Sequence, residues 1–250
     1  MENYRISHFN VLPPVVKNII IINVLMYLAT IFFQYKLGID LSEKLGLFFF
    51  ESSSFRPYQF ITHMFMHGSF SHLFFNMFAL WMFGMSIENL WGGKRFFTFY
   101  FICGLGAAAF YSFVQWIQLS HASSLIPPEQ IQYITTTGKE ILLSGRNFAA
   151  PDAAKINLIL NIPIVGASGA IFGILLAFGM LFPNTMIYIY FFIPLKAKWF
   201  VILYGIAELI FGVMNKPGDN IAHFAHLGGM IFGFILIVLW KKKDTNSIIY

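Results

Sequence analysis

The sequence is short of charge and short of cysteine. Asp, Glu, Lys and Arg make up 11% of its 250 residues, against about 25% in an ordinary soluble domain. So few charges exclude a disordered chain and a coiled coil. A lone cysteine, Cys103, has no partner to oxidise, which excludes a disulfide-stapled secreted domain. The net charge of +5 does not imply nucleic acid, because no basic face or groove is spelled out. The one basic run, Lys241-Lys242-Lys243, directly follows an apolar segment, where the positive-inside rule accounts for it. No internal repeat is visible, which weakens a transporter built from inverted halves. What the chain has in quantity is apolar surface: 58% hydrophobic residues, 31 Phe and 5 Trp, with a mean hydropathy of +0.69. This is the composition of a polytopic membrane protein.

A helix needs about 20 mostly apolar residues to cross ~30 Å of hydrocarbon at ~1.5 Å per residue. Stretches free of charge predict six spans, at 18–34, 71–88, 96–118, 168–182, 196–214 and 222–240. The expected fold is therefore all-α, a bundle of six transmembrane helices. A polar leader covers 1–17 and shows no small-residue cleavage site, so the first span reads as an anchor. A basic tail follows at 241–250. Lys94, Arg95, Lys196 and Lys198 lie in the shortest connections, which together with the tail predicts both termini on the cytoplasmic side.

Two connections are long. The first, 35–70, mixes Phe triplets with Ser, Pro, Arg and His, and reads as a folded, partly membrane-embedded loop. The second, 119–161, contains Pro127-Pro128 and Thr135-Thr136-Thr137, and is expected to be an exposed polar loop. Between Pro183 and Pro194, the run MIYIYFFI has the β-branched and aromatic content of a strand or interfacial segment.

Polar side chains inside a span are costly and are candidates for function. They fall into three clusters. His72 and Asn76 are one turn apart at the start of the second span. Gly166-Ala167-Ser168-Gly169 opens the fourth, and His223 and His226 open the sixth, followed by Gly228-Gly229. The second, fourth and sixth spans all enter from the outer side, so the three clusters lie near one membrane face. A serine, a histidine and two hydrogen-bond donors are the inventory for acyl transfer.

Each cluster also has a plainer reading. Gly169/Gly173 and Gly229/Gly233 are small-xxx-small pairs that let helices pack closely. His72 and Asn76 can bridge helices, and one of His223 and His226 suffices for chemistry. His63, His67 and His72 are close in sequence, but there is no His-Glu-x-x-His motif and no nearby carboxylate, so neither metal nor haem is expected. Glu208, inside the fifth span, has no evident cationic partner. It orients a histidine, bonds a backbone group or faces a wet cavity, with a structural role the simplest reading. Glu88 beside Trp91 reads as an interfacial anchor, and Cys103 as packing.

The order of these motifs resembles the rhomboid family of intramembrane serine proteases, in its basic six-helix form. The resemblance covers about 55–240 and rests on Phe55-Arg56, the segment HMFMHGSFSHLFFN, Glu88, GASG, and AHLGG followed by Gly233. It implies that Ser168 is the nucleophile and His226 the general base, a dyad without a third acid. It further implies an oxyanion hole from the Ser168 backbone N–H and the side chains of His72 and Asn76. Gly166 would support the site, and the ring one turn past the serine, Phe172, would stack on the histidine. Phe55 stands where the family often has Trp, and the 119–161 segment is longer than in the minimal form. No cofactor is implied. The implied partners are transmembrane protein substrates and membrane lipid, with no nucleic acid. Two rival readings are a catalytically inactive client-binding relative and a small transporter. With no targeting presequence evident, a bacterial inner membrane is the expected location.

Overall fold

Helices dominate the computed structural model, which describes residues 9–189, 192–214 and 222–246. The first eight residues of the expected leader and the last four of the tail lie outside the described residues. In chain order the helices are α1 (Pro14–Leu37), α2 (Ser42–Leu45), α3 (Gln59–Thr62), α4 (Phe70–Trp91), α5 (Gly93–Ser123), α6 (Pro128–Leu143), α7 (Pro151–Asn161), α8 (Ser168–Leu181), α9 (Ala197–Met214) and α10 (His223–Asn246), with a 3-10 turn at His63–Phe65. Between α8 and α9 an antiparallel hairpin pairs β1 (Met186–Ile189) with β2 (Ile193–Lys196). It matches the strand-like reading of that run and is the small exception to an all-helical fold.

Five helices are long and apolar enough to span a membrane: α1, α4, α5, α9 and α10. Large apolar side chains on their outer faces, such as Leu25, Leu28, Phe75, Leu203 and Ile235, are left exposed. An apolar exterior is what hydrocarbon solvates and water does not. The fourth expected span, α8, is only 14 residues, or ~21 Å at ~1.5 Å per residue. It is the most enclosed helix, packed by α4, α5, α9 and α10. In the irregular backbone before it, Gly166 and Ala167 are buried, and Leu47 and Ile164 form an antiparallel bridge. Non-helical backbone at depth is tolerated only under such cover. As a result α8 begins inside the bundle, and Ser168 is its first residue.

Local chemistry sets the joints. Gly92, at φ +78°, turns the chain from α4 into α5 in a single residue, a conformation in which a Cβ would be strained. Glu88 is not the interfacial anchor expected from its place beside Trp91. It is buried, and its carboxylate accepts the Val15 and Val16 N–H groups at 2.9 and 2.8 Å, capping α1. A carboxylate at orphan N–H groups also complements the helix dipole. Trp91 instead packs edge-on against Trp240, with the Arg95 guanidinium over both rings.

The 35–70 connection is folded, as expected: Phe48, Phe49, Met64 and Met66 are buried. The 119–161 segment differs from the exposed polar loop expected. It holds the end of α5 and the helices α6 and α7, which share a small core of Leu119, Ile134, Ala153 and Ile156 with Phe49. Pro128 and Pro151 sit at helical starts, where a missing N–H costs nothing.

Candidate active site

Three helices deliver the site, and glycine sets their spacing. A Cβ at Gly229 of α10 would overlap the Gly169 carbonyl of α8. One at Gly233 would lie 3.2 Å from the Gly173 Cα. The small-residue pairs are thus packing devices, and their packing function serves the site: they bring the start of α10 against the start of α8. Cys103 is buried in the same seam beside Gly173.

His226 of α10 consequently meets Ser168 of α8, with Nε2 2.9 Å from Oγ. Phe172, one turn past the serine, lies flat on the His226 ring at a centroid distance of 4.1 Å and an interplanar angle of 7°. Gly166 carries φ +127°, and a Cβ there would come within 2.9 Å of the His72 ring. It therefore keeps the approach between His72 and Ser168 open. The turn of α4 that carries His72 is capped by Ser69, whose hydroxyl oxygen accepts the His72 backbone N–H at 3.1 Å. Asn76, one turn on, is buried. A cleft beside Ser168 is lined by His63, Gly104, Val165, Gly166 and Ala222.

The loop histidines take supporting places. Buried His63 bonds the Gln59 carbonyl through Nδ1 at 2.8 Å. His67 is buried edge-on to His72 at 4.9 Å, and neither of its ring nitrogens has a partner among the described residues. Burial pushes the His63 imidazole down to about 4 and that of His67 to about 3, with the neighbouring His72 adding to the latter.

The structure also joins residues that the sequence left apart. Glu208 Oε2 lies 2.6 Å from His223 Nδ1 and 2.9 Å from His226 Nδ1. All three side chains are buried. They form the one metal-competent grouping among the described residues, but their separations are those of N–H···O bonds. Tetrahedral zinc ligands at ~2.0–2.1 Å from the metal would stand about 3.3 Å apart. The carboxylate is therefore a hydrogen-bond acceptor for two imidazoles.

A family model described as the Rhomboid domain matches residues 54–243. The chain belongs to the rhomboid family. Among curated relatives, Rhomboid protein 1, mitochondrial, of Saccharomyces cerevisiae is 28% identical over 68% of this chain and 38% of its own length. RHOMBOID-like protein 12, mitochondrial, of Arabidopsis thaliana is 28% identical over 75% of this chain and 46% of its own. Rhomboid protease AarA of Providencia stuartii is 25% identical over 71% of this chain and 53% of its own. This rhomboid chain thus spans about half or less of the length of those relatives. The family match covers every polar cluster singled out in the sequence, together with Glu208.

Proposed function

We propose that this rhomboid is an intramembrane serine endopeptidase that cleaves peptide bonds in or next to transmembrane segments of membrane proteins. The observation that carries the reading is the 2.9 Å contact of His226 Nε2 with Ser168 Oγ within an apolar helical bundle. His226 takes the Oγ proton as the serine attacks the carbonyl carbon, and the carbonyl π pair moves onto oxygen. The Ser168 N–H, His72 and Asn76 hold that oxyanion at the positive end of α8. Collapse of the tetrahedral adduct breaks the C–N bond, and His226 gives its proton to the departing amine. Water entering from the cleft attacks the acyl-enzyme by the same route, returning the proton to Oγ. No cofactor enters any step.

The relatives' names bear on the protease reading: that of Providencia stuartii is named a protease, while those of Saccharomyces cerevisiae and Arabidopsis thaliana are named mitochondrial. Those names do not carry the bacterial inner membrane expected from the sequence; what the family match and the apolar helices support is a multi-pass membrane protein. The test is cleavage of a panel of single-span fusion proteins co-reconstituted with the full chain in proteoliposomes. Products are expected with wild type and none with Ser168→Ala. Equal cleavage by both proteins would overturn the reading.

A further inference from the structure

We infer that Glu208 is a positioning residue for His226, making the site a Glu208–His226–Ser168 relay rather than a two-residue dyad. The inference rests on the proposed protease reading. Its basis is the continuous line of atoms from carboxylate to hydroxyl: Oε2 to Nδ1 at 2.9 Å, across the ring, then Nε2 to Oγ at 2.9 Å.

The line decides a tautomer. An ionised carboxylate only accepts hydrogen bonds, so the His226 proton resides on Nδ1. Nε2 is then left with its lone pair toward the Ser168 hydroxyl, as a general base requires. The opposite tautomer would set an N–H against the hydroxyl and an unprotonated Nδ1 against the carboxylate oxygen. Phe172 fixes the plane of the ring, while Glu208 fixes its rotation within that plane.

His223 is the second support. Its Nδ1–H donates to the same Oε2 at 2.6 Å, so the oxygen is held from two directions. Phe211, one turn after Glu208 on α9, packs against the His223 ring at 5.8 Å. A carboxylate paired with His223 alone would be a sufficient structural ion pair. What that pairing does not require is the second bond, to the one histidine that touches the serine. The two imidazoles also explain how a buried carboxylate is tolerated inside a span, where an unpaired one is expensive.

During acylation the Oγ proton moves to Nε2 and the ring becomes an imidazolium. Glu208 stabilises that charge without taking a proton, since the Nδ1 proton stays on nitrogen. When Nε2 gives up its proton to the departing amine, the starting tautomer is restored. The relay therefore acts on the rate of bond making at Ser168 and leaves reagent binding in the cleft unchanged.

The test is labelling of the full chain in proteoliposomes with a fluorophosphonate probe over a range of concentrations, which separates the maximal rate, kinact, from the half-saturating concentration, KI. Glu208→Gln is expected to lower kinact by about 10²–10⁴-fold with KI unchanged. Glu208→Asp, a shorter carboxylate, is expected to recover at least about tenfold of that loss, because the charge and acceptor are kept. A purely structural role would lower the melting temperature and the active fraction while leaving kinact at the wild-type value, and that result overturns the inference. Should Glu208→Gln fail to fold, Glu208→Ala, which also removes the carboxylate, carries the test by the same kinact comparison, and equality with wild type overturns the inference. A folded wild type that takes up no label overturns the protease reading itself. A labelled wild type with unaffected Glu208 variants overturns the relay alone.

Discussion

Phe172 lies parallel to His226 at 4.1 Å, so the ring that touches the serine hydroxyl rests flat against an aromatic face. Stacked pairs of this kind contribute about 0.5–1.5 kcal/mol beyond their burial. Phe172→Leu keeps an apolar side chain in the seam but removes the flat face. Turnover of a transmembrane substrate is expected to fall about threefold to tenfold, while Phe172→Tyr stays near wild type. A leucine variant at full activity would show that the plane is held by other contacts.

Asn76 is buried one turn beyond His72, on the helix that faces Ser168. Losing one oxyanion donor costs about 3–4 kcal/mol, or about 10²–10³-fold in rate. Asn76→Ala is expected to reduce kcat on that scale with little change in KM, since the charge it stabilises exists only in the transition state. The steady-state parameters decide the matter: a change confined to KM would assign Asn76 to substrate binding.

Gly229 touches the Gly169 carbonyl so closely that even a methyl group has no room. Forcing extra volume into a packed seam costs about 1–3 kcal/mol. Gly229→Ala is expected to lower the melting temperature in detergent and, by spreading α8 from α10, to abolish activity. The control is Gly68→Ala, where a Cβ meets nothing within 4 Å. Its melting temperature is expected to match wild type, and equal behaviour of the two variants would contradict the packing argument.

His63 and His67 are held neutral by burial, with folded values of about 4 and about 3 against an ordinary 6.5. A depressed histidine value means that the unfolded chain binds protons before the folded one does. The stabilisation is therefore full above about pH 6.5 and is lost as pH falls toward 4, with a slope of up to about 1.4 kcal/mol per pH unit for each group. Thermal melting of wild type between pH 7 and 4.5 should decline more steeply than that of a His63→Gln, His67→Phe double variant. Parallel curves would show that the two rings are solvated.

The spans were legible because hydrocarbon imposes a length: the run at 18–34 lies within α1, and the run at 96–118 lies within α5. Ser168, His226, His72 and Asn76 stood out because polar groups in apolar helices are conspicuous. The α6–α7 unit was obscured by its Thr-rich, Pro-flanked composition, although Pro128 and Ala150-Pro151 were helix-start signals. Glu208 was visible as an expensive residue, but its partners lie 15 and 18 positions away on the next helix. Only the packing of α9 against α10 brings them together. The available signal was two histidines near the start of the next span, to which an intramembrane carboxylate is naturally assigned. The role of Glu88 was hidden for the same reason, since its partners are backbone N–H groups of a helix more than 70 residues earlier.

The most direct measurement is fluorophosphonate labelling, in membranes, of wild type, Ser168→Ala and His226→Ala, because it requires no knowledge of the substrate. The 2.9 Å contact between the two side chains predicts an activated hydroxyl. Wild type is therefore expected to take up the probe and both variants to lose it. Undiminished labelling of Ser168→Ala, or none of a correctly folded wild type, would contradict the account.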